Sequence, residues 1–256
     1  MMTRTVFAFV GLAGVFAGCL TQPPHGVARL EPGWKQSEML VMSFNLKGTK
    51  VTAAVDGLAE TIREVKPRYV ALQDLTKEQA DLLGRSLGMR VDYCASGKDA
   101  DGPTGVAVFS KGEPVMRVFT SQTAARQPWL VKNPPKHYPR AAISVQFGEH
   151  EIASAMLAEG PGRDEERLGG LMLYKEVCNQ HRPAVMSVDM GVEKNGDPVW
   201  TTYGKLFRQV SSEEDTSGNC IVTRWNFASQ FGLDWNRMVS VKGFGGRKAA
   251  LANIKY

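Results

Sequence analysis

Short apolar runs of two different periods alternate with polar turns along the chain. Leu40-Val41-Met42-Ser43-Phe44-Asn45-Leu46 alternates loosely between polar boundaries and predicts a strand. Val55, Leu58, Ile62 and Val65 then recur at helical spacing behind Thr52, a capping residue type, and Pro67 stops that helix. Residues 69–73 predict a short buried strand. Residues 76–87 predict a second helix, with Thr76 and Gln79 in capping-box relation and Gly88 as its C-terminal stop. The chain therefore opens as strand, helix, strand, helix.

The middle changes character. Residues 91–95, 105–110, 115–120, 141–147 and 152–157 are five strand-like runs separated by turns rich in glycine, proline or charge, and antiparallel pairing is their natural outcome. Residues 163–180 predict a helix with Leu168, Leu171, Met172 and Val177 on one side. Residues 184–188, 220–227 and 249–254 predict later strands, and no internal repeat or low-complexity tract is visible. Helices at both ends of a strand-rich middle imply two packed sheets covered by helices.

Composition adds that the chain can build a sizeable core. Its 256 residues are 43% hydrophobic and 22% charged, too apolar for a disordered chain, and the length fits one large domain. The N-terminus stands apart. Arg4 precedes an uncharged, mostly apolar run over residues 6–17, the layout of a signal peptide, and that run falls short of the roughly 20 residues a membrane helix needs. Phe16-Ala17-Gly18-Cys19 resembles the lipobox of bacterial lipoproteins, with Phe16 in place of the usual Leu. The resemblance implies a signal peptide over 1–18, lipidation of Cys19, a tether over 19–38 and a globular domain over 39–256. The lipid on Cys19 is then the membrane partner. The lack of Asp after Cys19 favours the outer membrane over the inner. The formal net charge of +5 permits an anionic partner without requiring one. Cys94, Cys178 and Cys220 fit either a disulfide plus a thiol or three small buried hydrophobes.

Phe44-Asn45 ending the first strand and Leu72-Gln73-Asp74 ending the second resemble the opening of the endonuclease/exonuclease/phosphatase superfamily. The likeness continues in order through the strand Gly105-Val106-Ala107-Val108-Phe109-Ser110, Arg140 heading a strand, the Glu166-Arg167 helix and residues 183–191. It covers the chain from about residue 39 onward. It implies an α+β four-layer α/β/β/α sandwich, with two mainly antiparallel sheets flanked by helices. It also implies a chemistry in which a divalent cation, usually Mg²⁺, polarises a phosphate while an Asp-assisted His handles the proton.

The same comparison assigns residues. Asn45 matches the Asn that orients metal or phosphate, and otherwise is a strand-end turn residue. Asp74 stands where the family has a metal-binding Glu, one methylene longer; the alternative is a solvated charge at the positive start of the next helix. Asp189 matches the Asp that positions the nucleophile, in vestigial or weak form, because Met190 and Gly191 follow it and the partner Asn is gone. Met156 occupies the place of a His, and Gly245-Gly246-Arg247 that of the Ser-Asp-His triplet. Arg247 is permanently cationic and cannot be a general base. Losing such a group costs about 10² to 10⁴ in rate. The chain's four histidines, His25, His137, His150 and His181, all read as ordinary exposed residues.

Residues 114–148 carry Arg117, Arg126, Lys132, Lys136 and Arg140 with Trp129 and Tyr138 between them; a solvated loop is the favoured reading and an anion surface the alternative. Arg140 and Arg247 are the candidate anion-binding residues. The expected function is a catalytically inactive or strongly impaired envelope lipoprotein acting as a binding module for an anionic ligand or an envelope protein. The alternatives are an active metal-dependent phosphodiesterase or phosphatase on a nuclease- or phospholipid-type substrate, and a structural scaffold. No cofactor is expected, Mg²⁺ applies if the protein is active, and nothing establishes nucleic acid as a partner.

Overall fold

The strand at the centre of the first sheet is buried on both faces, so it must be covered twice. In residues 39–46, Met39, Val41, Ser43 and Asn45 point one way and Leu40, Met42, Phe44 and Leu46 the other, and all are buried. A strand of that kind reads as a loose alternation because neither face is solvated. The computed structural model describes residues 38–49, 52–99, 102–112, 114, 116–120, 141–148, 150–158, 162–180, 184–191, 198–211, 219–224 and 232–255.

One six-stranded sheet contains β1 (Glu38–Asn45), β2 (Tyr69–Thr76), β3 (Arg90–Asp99), β4 (Gly102–Ser110), β11 (Gly232–Ser240) and β12 (Lys248–Lys255), in the order β11-β12-β1-β2-β4-β3. The other contains β5 (Met116–Thr120), β6 (Ala142–Phe147), β7 (His150–Met156), β8 (Ala184–Asp189), β9 (Phe207–Gln209) and β10 (Asn219–Arg224), in the order β5-β6-β7-β8-β10-β9. Helices α1 (Thr52–Val65) and α2 (Lys77–Leu87) cover the first sheet, and α3 (Asp164–Gln180) and α4 (Pro198–Leu206) the second. Three apolar clusters fill the spaces between layers. Phe44, Leu58, Leu72 and Leu83 pack sheet on helix, Val41, Val108, Ile143 and Ile221 pack sheet on sheet, and Leu171, Val188, Val199 and Phe207 pack the second sheet on its helices. This is the α/β/β/α sandwich expected from the sequence.

The two sheets repeat one topology. In each, a central parallel pair (β1 with β2, β7 with β8) is joined through a helix, and every other pairing is antiparallel, strand for strand. The sequence shows no such repeat, so the duplication resides in backbone pairing alone. Most predicted elements form within a few residues of their expected bounds, and the Thr76–Gln79 capping box and the left-handed Gly88 cap both form. Three elements escaped prediction: α4, β9 and β11. Val199, Trp200 and Tyr203 carry a helical spacing within α4. Met172, expected on the apolar side of α3, is exposed. Cys94 and Cys220 are buried thiols in different apolar clusters and are not joined to each other.

Glu151 on β7 is 1% exposed, with Ser144 Oγ donating to one carboxylate oxygen. The other oxygen has no partner among the described residues. Burial pushes its carboxyl up to about 7. An unfolded Glu ionises near 4.3 while the folded one stays protonated, so this group's stabilisation is full below that pH and is lost as pH rises toward 7. Urea unfolding of wild type is expected to lose on the order of 3 kcal/mol across that window from this group. Glu151→Gln should flatten the decline, and an identical pH profile in the variant would contradict the assignment.

Candidate functional site

Parallel strand pairs bring the carboxyl ends of neighbouring strands together, and here the two pairs do so at facing positions. Asn45 ends β1 beside Gln73 of β2, and Asp189 ends β8 beside Met156, the last residue of β7. Asn45 and Asp189 meet across the sandwich: Asn45 Nδ2 donates to Asp189 Oδ2. Asn45 Oδ1 accepts the backbone N–H of Lys47 at 2.5 Å, which fixes which way the amide faces. The other Asp189 oxygen accepts the Gly191 backbone N–H at 3.0 Å.

Asp74 reaches this end of the molecule through a bulge. The pairing of β2 with β4 shifts register between Gln73 and Leu75, and Asp74 adopts φ +55° within it. A left-handed backbone is uncommon outside glycine, and a short polar side chain tolerates it best. The bulge also reverses the strand's alternation: Leu75 joins Leu72 on the helix side. The strand therefore continues past Asp74 to Thr76, and Asp74 is buried. Reading it as a solvated charge opening α2 is corrected: α2 begins at Lys77, behind the Thr76 cap. Burial pushes the Tyr93 hydroxyl up to about 12, with smaller contributions from Cys94 and Asp74, so Tyr93 belongs to this neighbourhood although nothing in its sequence context singled it out.

Arg247 arrives from the turn between β11 and β12. Val241 N–H donates to the Arg247 carbonyl at 2.9 Å and Arg247 N–H to Phe244 at 3.1 Å, with Gly245 and Gly246 at φ +59° and +83° completing the reversal. The turn is seated on α1, where a side chain at Gly57 would collide with the Lys242 carbonyl and Thr61 Oγ1 accepts the Lys242 N–H at 3.1 Å. The half-buried guanidinium donates to the Leu46 carbonyl at 3.2 Å and to the Asn45 carbonyl. It lies 5.0 Å from the Phe44 ring centre and 5.5 Å from that of Phe244. Burial lowers its pKa, and the charges of Asp189 and Asp74 oppose that shift. The guanidinium stays cationic at any working pH.

Beneath these groups the two sheets are bound by a polar cluster. Gln73 Nε2 donates to Ser187 Oγ at 2.7 Å and to Ser154 Oγ at 3.1 Å, and its Oε1 accepts from Asn219 Nδ2 at 3.0 Å. Ser43 bonds both Ser187 and Asn219, and Ser154 donates to the Leu72 carbonyl at 3.0 Å. All five side chains are buried. Gln73 was noted only as part of a strand-end motif. Its role as the hub depends on strands 81 to 146 residues away in sequence.

Of the sequence candidates, Asn45, Asp74, Asp189 and Arg247 therefore share one end of the sandwich. Met156 is adjacent, but it is buried in the inter-sheet core rather than presented to a ligand. Gly191, which has no side-chain amide, supplies its backbone N–H to Asp189. Arg167 of the Glu166-Arg167 pair is structural, donating to Asp164 and to the Ala158 carbonyl at 3.3 Å. His150 opens β7, at the end opposite Met156. Arg140, Cys19, the signal segment, the tether as far as residue 37, and His25, His137 and His181 lie outside the described residues, and Glu38, expected to end the tether, opens β1. Among the described residues no three His, Cys, Asp or Glu side chains converge as a metal-binding group, and no helix is long and apolar enough to cross a membrane.

No protein-family model and no curated protein matches the chain. Solved structures do. An endonuclease/exonuclease/phosphatase family protein from Leptotrichia buccalis superposes with a TM-score of 0.66 at 12% identity, over 85% of this chain and 100% of that one. The human Nocturnin catalytic domain with bound sulfate gives 0.64 at 16% identity, over 86% and 93%. A mannosyl-6-phosphatase from Bacteroides thetaiotaomicron gives 0.57 at 13%, over 85% and 100%. At such identities the likeness establishes the fold.

Proposed function

We propose that this chain is a cell-envelope lipoprotein, anchored through lipid on Cys19, whose endonuclease/exonuclease/phosphatase-like domain is catalytically inactive or strongly impaired and serves as a binding module for an anionic ligand or an envelope protein. The observation that carries the reading is the Arg247 guanidinium, held beside Asn45 and within the field of Asp74 and Asp189. Phosphoester hydrolysis in this arrangement needs a group that can take up and return a proton, and a guanidinium cannot. Met156, alongside Asp189, neither ionises nor donates a hydrogen bond. The mannosyl-6-phosphatase and the sulfate-bound Nocturnin domain support an anionic ligand by fold analogy alone.

The purified protein, assayed on bis-nitrophenyl phosphate, nucleic acid and phospholipid with Mg²⁺ or Mn²⁺, is expected to show turnover no greater than that of its Asp189→Ala variant. Turnover above background that disappears in Asp189→Ala would establish an active hydrolase instead. Pull-down from envelope extracts, compared between wild type and Arg247→Ala, then tests whether this end of the sandwich contacts the partner.

A further inference from the structure

The family's chemistry calls for a resident divalent cation, and the donors here do not suit one. Mg²⁺ takes six oxygen donors in near-octahedral array. Asp189 is already engaged at both oxygens, by Asn45 Nδ2 and by the Gly191 N–H. The Asn45 side-chain oxygen Oδ1 is engaged by the Lys47 N–H. A fixed positive charge also stands beside them, bonded to the Asn45 backbone carbonyl and within the field of both carboxylates; the guanidinium of Arg247 has no lone pair to offer a metal and repels any cation that approaches.

We propose that Arg247 is the built-in counter-cation of this site, offsetting part of the charge of Asp74 and Asp189 where a divalent ion would otherwise do so and keeping such ions out. The inference rests on the reading of the domain as catalytically impaired and specifies how its site is charged. The geometry supports a permanent role. The side chain comes from a turn braced on α1 through Thr61 and through Lys242, whose ammonium reaches Glu60 at 2.6 Å and Glu64 at 2.5 Å. It is then held by two backbone carbonyls and by the faces of Phe44 and Phe244. Such anchoring fixes the charge in place while engaging, among the described residues, only two of its nitrogens. Each Asp189 carboxylate oxygen keeps a second lone pair beside the hydrogen bond it accepts, so removing this charge leaves two buried carboxylates able to attract a divalent ion.

The test is Mn²⁺ uptake by the purified full chain in detergent, followed by loss of the free-ion paramagnetic resonance signal and by calorimetry. Wild type is expected to take up no Mn²⁺ at concentrations where Arg247→Ala binds it, a gain in affinity of about tenfold or more. Arg247→Lys, which keeps the charge, should still exclude the ion, and adding Asp74→Asn to Arg247→Ala should abolish the gain. Circular dichroism confirms that each variant is folded. Equal uptake by wild type and Arg247→Ala, no uptake by folded Arg247→Ala, or uptake by the Lys and Ala variants alike would overturn the proposal. The two readings separate cleanly: Mn²⁺ binding by a wild type that hydrolyses no ester defeats the exclusion alone, whereas binding with turnover defeats the impaired-enzyme reading as well.

Discussion

Replacing Gln73 by alanine is expected to lower the free energy of unfolding by about 4 kcal/mol. The side chain is fully buried, and its amide satisfies Ser154, Ser187 and Asn219 on three strands of the opposite sheet. Truncation therefore removes one hydrogen bond from each of three buried polar groups, each loss costing about 1 kcal/mol, and opens a cavity besides. The terms overlap because Ser43 can still bond Ser187 and Asn219, which keeps the total below their sum. Ser154→Ala removes one member and should cost about 1 kcal/mol. Denaturant unfolding of both single variants and the double variant measures the coupling. A loss under about 1 kcal/mol for Gln73→Ala would show that the cluster is not a stabilising hub.

Phe44→Ala carries a comparable penalty from a different source. Phe44 is 1% exposed, meets Phe244 edge to face at 4.9 Å and underlies the Arg247 guanidinium. Phe-to-Ala changes in cores cost about 3 to 5 kcal/mol. Removing one of the two faces that hold the guanidinium also loosens the only turn that presents Arg247. Denaturant unfolding should place this variant near Gln73→Ala in stability, while Phe44→Leu, which retains most of the volume, should lose much less. If Phe44→Ala and Phe44→Leu unfold at the same midpoint, restoring the volume recovers nothing and cavity formation is not the source of the loss. If the Ala variant loses under about 1 kcal/mol, the packing around Arg247 is looser than the geometry indicates.

Local patterning made the layers readable and left the pairing hidden. The helices α1, α2 and α3 announced themselves by apolar spacing and caps, and the central strands by short runs between turns, because these signals act over a few residues. β11 was missed: Trp235, Arg237 and Val239 mix polarity along a strand at the sheet's edge, and an edge strand need not be apolar on both faces. The topological repeat was invisible because hydrogen-bonded backbone pairing can be duplicated without any duplication of side chains.

The candidate site divides along the same line. Asn45, Asp74, Asp189 and Arg247 could be chosen from sequence because their residue types and order resemble a family pattern, in which Met156 and Arg247 stand at positions expected to hold histidine. Their convergence depended on the tertiary structure. Asn45 and Asp189 are 144 residues apart and meet only because two parallel pairs end at the same place. Asp74 was readable as the cap-side charge of a helix until the bulge put it in the interior. The roles of Gln73, Tyr93 and Phe44 had no local signal at all. By itself the sequence determined the elements, the buried faces and the chemical types available, since these follow from periodicity and side-chain identity. Tertiary structure alone decided which charges oppose one another, because electrostatic and hydrogen-bond partners are set by distance in space, and chain separation carries no information about it.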